Sequence, residues 1–121
     1  MVFQDNIPIY VQIANDIKDQ IVSGKLPVGA KLGSIREYSL LYEVTTLTIT
    51  RAFGMLEHQN MITTKKGVGS FVKEGAREAL KVEMVEGLVE DFTRRITNMG
   101  FTGKEVLAMV QENLERRSGN E

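Results

Sequence analysis

Apolar residues return at every third or fourth position along most of this chain, and that spacing predicts mostly helix. Tyr10, Ile13, Ala14, Ile17 and Ile21 form one stripe, with Gln12, Asn15, Asp16, Lys18 and Asp19 falling outside it. Asn6 is the candidate cap of this first helix, Pro8 suits its opening turn, and Gly24 sits where it should stop. "KLPVGAKL" reads as a loop punctuated by Pro27 and Gly29. "SIRE" has the form of a capping box: the Ser34 hydroxyl accepts a backbone N–H and Glu37 reaches back. A short helix then carries Ile35, Tyr38 and Leu41 on its apolar side and ends near Tyr42.

Only Glu43, Val44 and Thr45 separate that helix from "TTLTITRAF", which sets two readings against each other. As a strand, Thr45 to Thr50 alternates, with Leu47 and Ile49 on one face, but it runs into a helix with no breaker. As a helix, Ile49, Ala52, Phe53, Leu56 and Asn60 project from one side, and Leu47, Thr50, Arg51, Gly54 and His58 from the other. Helix is the reading that accounts for the residues beyond Thr50, with Thr45 or Thr46 as cap. The propensity cost of threonine, about half a kcal/mol each, is small beside the burial of Ile49, Phe53 and Leu56. Two short helices joined by so tight a turn predict a helix-turn-helix. Thr45, Thr46, Thr48 and Thr50 beside Arg51 suggest a hydrogen-bonding surface suited to phosphates and to the thymine methyl. Any one of them is equally well a surface residue without a task.

"MITT" and "SFVK" are short β-prone runs around "KKGVG", which predicts a hairpin with Lys65 and Lys66 at its tip. From Arg77 a longer stripe begins: Leu80, Met84, Val85, Leu88, Val89, Phe92, Ile96 and Met99, stopped at Gly100. "TGKE" opens a last helix with Val106, Leu107, Val110 and Leu114, and the final "SGNE" is expected to fray. Two helices cannot hold a core alone, and the stripe is too apolar to leave bare. It packs on the first part or pairs with a second copy, and pairing is the favoured reading. The expected fold class is α+β, mostly helical, divided into residues 1–75 and 76–121.

Composition adds limits. The chain has 121 residues, no cysteine and one histidine, which excludes disulfides and thiolate metal sites. Neither a signal peptide nor an apolar run of membrane-spanning length is evident, so a cytoplasmic location is expected. Net charge is −1, yet Lys31 to Lys73 holds six cations against three acids, and the part from Ala76 onward seven against nine. A basic middle and an acidic tail allow a local cationic face. Lysines at a hairpin tip are usually just solvated, but after a helix-turn-helix they are well placed to touch a DNA backbone.

From Pro8 to Val72 the chain resembles the winged helix-turn-helix domain of the GntR family of bacterial transcription regulators. The resemblance rests on "PIYVQI", "SGKLPVGAKL", "SIRE", "TITRAFGMLE" and "GVGSFV". The short two-helix tail is similar to that of the YtrA subfamily, in which it serves homodimerisation and whose members often repress transporter genes. The resemblance implies double-stranded DNA as partner; no cofactor is expected, and no metal, since one histidine and scattered acids do not make a ligand set. It implies DNA contacts from Ser34 and Arg36 in "SIRE", from Thr45, Thr46, Thr48, Thr50 and Arg51 on the recognition helix, and from Lys65, Lys66 and Gly67 at the wing. It assigns dimerisation to Leu80, Met84, Val85, Leu88, Val89, Phe92, Ile96, Met99, Val106 and Val110. The chain departs from the family pattern at Gly33, where proline is usual, and at Glu43, where glycine is common. Thr46 and Thr50 stand where some relatives carry arginine, so a relative's operator does not transfer. Gly54 either lets the helix approach DNA closely or is a tolerated surface glycine.

The expected function is a homodimeric repressor acting on an inverted-repeat operator. The alternative is a winged-helix adaptor whose Leu47, Thr50 and Arg51 face meets a protein. Catalysis has little to stand on, since His58 is the one histidine and no ligand set or acidic pair accompanies it. No residues single out a small-molecule effector.

Overall fold

The computed structural model describes residues 1–119; Asn120 and Glu121, half of the segment expected to fray, lie outside the described residues. Five helices and a two-stranded antiparallel sheet follow one another: α1 (Ile9–Ser23), α2 (Ile35–Tyr42), α3 (Thr46–His58), β1 (Ile62–Lys65), β2 (Gly69–Val72), α4 (Ala76–Asn98) and α5 (Gly103–Ser118). They form two compact units, Met1–Val82 and the residues from Glu83 on. No helix among the described residues is long and apolar enough to cross a membrane.

In the first unit α1, α2 and α3 enclose the core. Ile13, Ala14, Ile17 and Ile21 of α1 meet Ile49, Ala52, Phe53 and Leu56 of α3, all buried. At about 1.5–3 kcal/mol for each large apolar side chain buried, this outweighs the strand preference of "TTLTIT", which coils as the helical pattern requires. Thr45 is the N-cap, its Oγ1 accepting the Thr48 N–H at 3.2 Å.

Several details depart from the sequence pattern. The N-cap of α1 is Pro8, without a side-chain hydrogen bond, and Asn6 has no capping role. Gln12, placed on the polar side by its spacing, is buried: its amide accepts from Gln4 N and donates to the Gln4 and Ile7 carbonyls, at 2.8–2.9 Å. It ties the N-terminal arm to the helix, and three hydrogen bonds offset the cost of burying an amide. On α2 the buried residues are Tyr38 and Tyr42, whereas Leu41 is 70% exposed. The tyrosines win because their rings pack on one another and Tyr38 meets Phe53 edge-on at 5.7 Å. Asn60 is exposed beyond the end of α3, at φ 61°. The loop before α2 contributes a third extended segment: Gly29 N donates to Val72 O, Val72 N to Ala30 O, and Leu32 N to Ser70 O at 2.8 Å, with a bridge from Lys31 to Phe71.

The Tyr42 hydroxyl donates to Asp16 Oδ2 on α1 at 2.6 Å. Burial, then the bond to Asp16 and the charge of that carboxylate, pushes the Tyr42 phenol far above its ordinary value. A phenol raised in the folded chain adds stability that is whole below the unfolded value near pH 10 and is lost as pH climbs above it. Tyr42→Phe is therefore expected to lower stability by about 1–2 kcal/mol at neutral pH, with the gap to the parent narrowing above about pH 10. Urea melts of both chains at neutral and alkaline pH measure it, and equal stabilities at neutral pH would show that the bond contributes nothing.

The turn between α2 and α3 rests on Glu43, at φ 57° and ψ 50°, with its N–H on the Ser39 carbonyl. A side chain in this left-handed region costs about 1 kcal/mol, which glycine avoids. Glu43→Gly is expected to raise stability by up to about 1 kcal/mol; a lower melting midpoint would mean that the glutamate side chain has a compensating role.

The chain of the first unit continues into α4. Ala76 and Leu80 are buried in its core, and Arg77 Nε donates to the Val22 carbonyl at 3.0 Å. Leu80, expected among the residues that pair between copies, is instead buried in the core of the first unit, which extends to Val82. In the second unit Thr102 closes a capping box with Glu105, whose carboxyl is held below its ordinary range by the Thr102 N–H. Gly100, at φ 91°, makes the turn before it.

Candidate nucleic-acid interface

Three elements of the first unit form an open groove of about 750 Å³. One wall is the start of α2 with the segment before it, Lys31 to Glu37; the other is the hairpin, Thr64 to Ser70, with Phe53 between them. Ser34 caps α2, donating its N–H to Glu37 Oε1 at 3.1 Å while its Oγ accepts the Glu37 N–H at 3.0 Å. The Glu37 carboxyl lies below its ordinary range, mainly because it accepts the Ser34 N–H, with the Ser34 hydroxyl and the Lys31 charge adding to the effect. Capping thus ties Glu37 to the helix end and leaves Arg36, one residue earlier, exposed on the groove.

The hairpin brings Lys65, Lys66 and Gly67 to the same groove. Lys65 closes the ladder opposite Gly69, and its Nζ lies 5.2 Å from the Phe71 ring, a cation–π distance. The tip is therefore Lys66, Gly67 and Val68, with Gly67 at φ 76°. Lys31 completes the groove and carries no assignment from the sequence. Its stem lies over Gly69, where an added Cβ would come within 2.6 Å of Lys31 Cε. This close approach explains a glycine at φ 145° opposite Lys65. The one available signal for Lys31 was its place in the basic middle of the chain.

At the N-terminal end of α3, Thr46, Leu47, Thr50 and Arg51 are exposed, and Thr48 is half-buried. Arg51 does not line the groove: with Met55 and His58 it borders a separate cleft against Tyr10 and Val11 of α1. Three of the four threonine hydroxyls make bonds within the helix, and none is found for Thr46 among the described residues. Thr45 and Thr48 hydroxyls bond each other at 2.9 Å, and Thr50 Oγ1 donates to the Thr46 carbonyl at 3.0 Å. Among the described residues none of Lys31, Arg36, Arg51, Lys65 and Lys66 forms a salt bridge; the pairs found join Asp91 to Arg94 and Arg95. The cations of the groove are left to neutralise an external anion.

Along the second unit, Met84, Val85, Leu88, Val89, Phe92 and Met99 of the apolar stripe are exposed, together with Val110, while Ile96 and Val106 are half-buried. No residue of α5 is buried. Leu107 and Leu114 of α5 are exposed as well.

Residues 9–72 match the family described as "Bacterial regulatory proteins, gntR family". The chain is 34% identical to the uncharacterized HTH-type transcriptional regulator YhcF of Bacillus subtilis, over 90% of this chain and 92% of that one. To the HTH-type transcriptional repressor YtrA of the same organism it is 27% identical, over 85% and 79% of the two chains. Among solved structures, a GntR family transcriptional regulator from Listeria monocytogenes superimposes with a TM-score of 0.77 at 34% identity, covering 91% of this chain and 98% of that one. The DNA-binding domain of AraR in complex with operator ORX1 gives a TM-score of 0.56 at 29% identity, over 59% and 92% of the two chains.

Proposed function

From the premise that this chain belongs to the gntR family of bacterial regulatory proteins, and is a transcriptional regulator with a winged helix-turn-helix DNA-binding domain, we propose that it is a repressor which binds an inverted-repeat operator as a homodimer. One observation carries the reading: Lys31, Arg36, Lys65 and Lys66, free of salt bridges among the described residues, line one groove. Beside the helix-turn-helix, they are arranged to take hold of phosphates while the exposed start of α3 meets base edges. Arg36 has the fork geometry for phosphate or guanine, and the hairpin tip at Lys66 and Gly67 is the part we assign to the minor groove. The Arg51 cleft lies to the α1 side of α3, which suits a phosphate flanking the same groove.

The exposed stripe of the second unit, from Met84 to Met99 and on to Val110, is the surface we assign to dimerisation. A chain that leaves so many apolar residues uncovered buries them on a partner. A two-fold dimer presents two copies of α3 and so reads an operator of matching symmetry, with half-site centres roughly 34 Å apart for one turn of DNA. Repression is the activity named for the YtrA relative, and transporter genes are the first targets to examine.

Selection of genomic fragments by the purified chain is the direct test. An inverted repeat shared by the bound fragments is expected; indiscriminate recovery would favour a protein-interaction role instead. On the selected operator, Arg36→Ala is expected to weaken binding by about 1–3 kcal/mol while the variant stays dimeric in sedimentation. Unchanged affinity would remove Arg36 from the interface.

A further inference from the structure

Three hydroxyls at the start of α3, those of Thr45, Thr48 and Thr50, are engaged within the helix itself, and that changes what the helix offers to a base. A threonine hydroxyl has a single proton, and that of Thr50 goes to the Thr46 carbonyl at 3.0 Å. Thr50 therefore has no donor for a base, and this exposed residue is left with its methyl and an oxygen that can only accept. The Thr45 and Thr48 hydroxyls bond each other at 2.9 Å, which engages one of their two protons, and Thr45 also accepts the Thr48 N–H. Leu47 lies one turn from Thr50 and Arg51 on the same face and is 59% exposed. Seven residues after Leu47, Gly54 continues this face with bare backbone, where an added Cβ would meet nothing within 4 Å. Between the groove on one side and Arg51 on the other, α3 thus presents a strip of isobutyl, methyl and glycine.

We propose that Leu47 is a base-reading residue, and that Leu47 and Thr50 recognise the 5-methyl groups of thymine in the major groove. Thymine alone among the bases displays a methyl there, and an apolar side chain meets it by removing both from water. An exposed leucine by itself is ordinary, but this one stands at the opening of the helix that faces DNA. Gly54 lets the backbone approach the groove wall closely enough for a side chain as short as that of Thr50 to reach a base. This inference rests on the DNA-binding reading and narrows it: contact is made through methyl groups, and no hydroxyl donor is involved at Thr50.

The experiment uses the full chain and the operator recovered by fragment selection, with each thymine of the half-site replaced in turn by deoxyuridine, which lacks only the methyl. At one or two positions the parent chain is expected to bind the uracil form about fourfold more weakly for each methyl removed. Leu47→Ala should bind thymine and uracil alike at one of them. Thr50→Ser, which keeps the hydroxyl and loses the methyl, should do so at its neighbour, whereas Thr50→Val should retain the thymine preference. Leu47 is outside the core, so circular dichroism melts of the variants should match the parent. Specific binding that ignores uracil at every position, or a thymine preference that Leu47→Ala leaves undiminished at every position, overturns this inference and leaves the regulator reading standing. Failure to select any operator overturns both.

Discussion

Leu88→Asp combined with Phe92→Asp is expected to yield a monomer whose affinity for the full operator falls by about a hundred- to ten-thousandfold. Leu88 is 69% exposed and Phe92 44%, near the middle of the α4 stripe. Two carboxylates there would have to be desolvated against the partner's apolar face, which costs several kcal/mol for each ion. Once the dimer is lost, the second half-site no longer binds at the high effective concentration set by the first, and that term is worth about 10²–10⁴ in affinity. Both residues lie in the second unit, beyond Leu80, so the core of the first unit and its groove should be intact. Sedimentation equilibrium and gel shifts on full and half operators measure the effect. A variant that remains dimeric, or binds the full site as well as the parent, would place the dimer contact elsewhere.

Raising salt from about 50 to about 200 mM is expected to lower operator affinity by about 10³–10⁵, if six to ten phosphates are neutralised per dimer. The chain carries a net charge of −1, so overall attraction cannot supply this dependence. It must come from the local set of Lys31, Arg36, Lys65 and Lys66 in the groove, with Arg51 beside it. Lys66→Ala should weaken all sequences about equally and reduce the salt slope by about one for each subunit. Fluorescence anisotropy across a salt series separates the two readings of this domain. A flat series would point to a protein partner in place of DNA.

The two kinds of base contact differ in how readily a sequence reveals them. A capping box or a threonine run is visible in neighbouring letters, but the use of each hydroxyl is settled by the helix it sits in. Thr50 looks like a donor until α3 forms and the Thr46 carbonyl comes within reach. The exposed Leu47 looks like an incidental surface residue until Thr50, on the same face, proves to have its one donor engaged.

What the sequence determined by itself was local. The helical periods of α1 and α3, the boxes at Ser34–Glu37 and Thr102–Glu105, the turns at Gly24 and Gly100, and the hairpin around Gly67 all follow from residues within one or two helical turns of each other. Only the tertiary structure decided which long-separated residues meet. It paired Tyr42 with Asp16 on α1, laid residues 29–32 along β2, and drew Leu80 into the first core. It brought Lys31 into the groove and placed Arg51 on a separate cleft. Periodicity specifies the face on which a side chain lies, but the partner opposite that face comes from chain closure and packing, and neither is written in neighbouring residues.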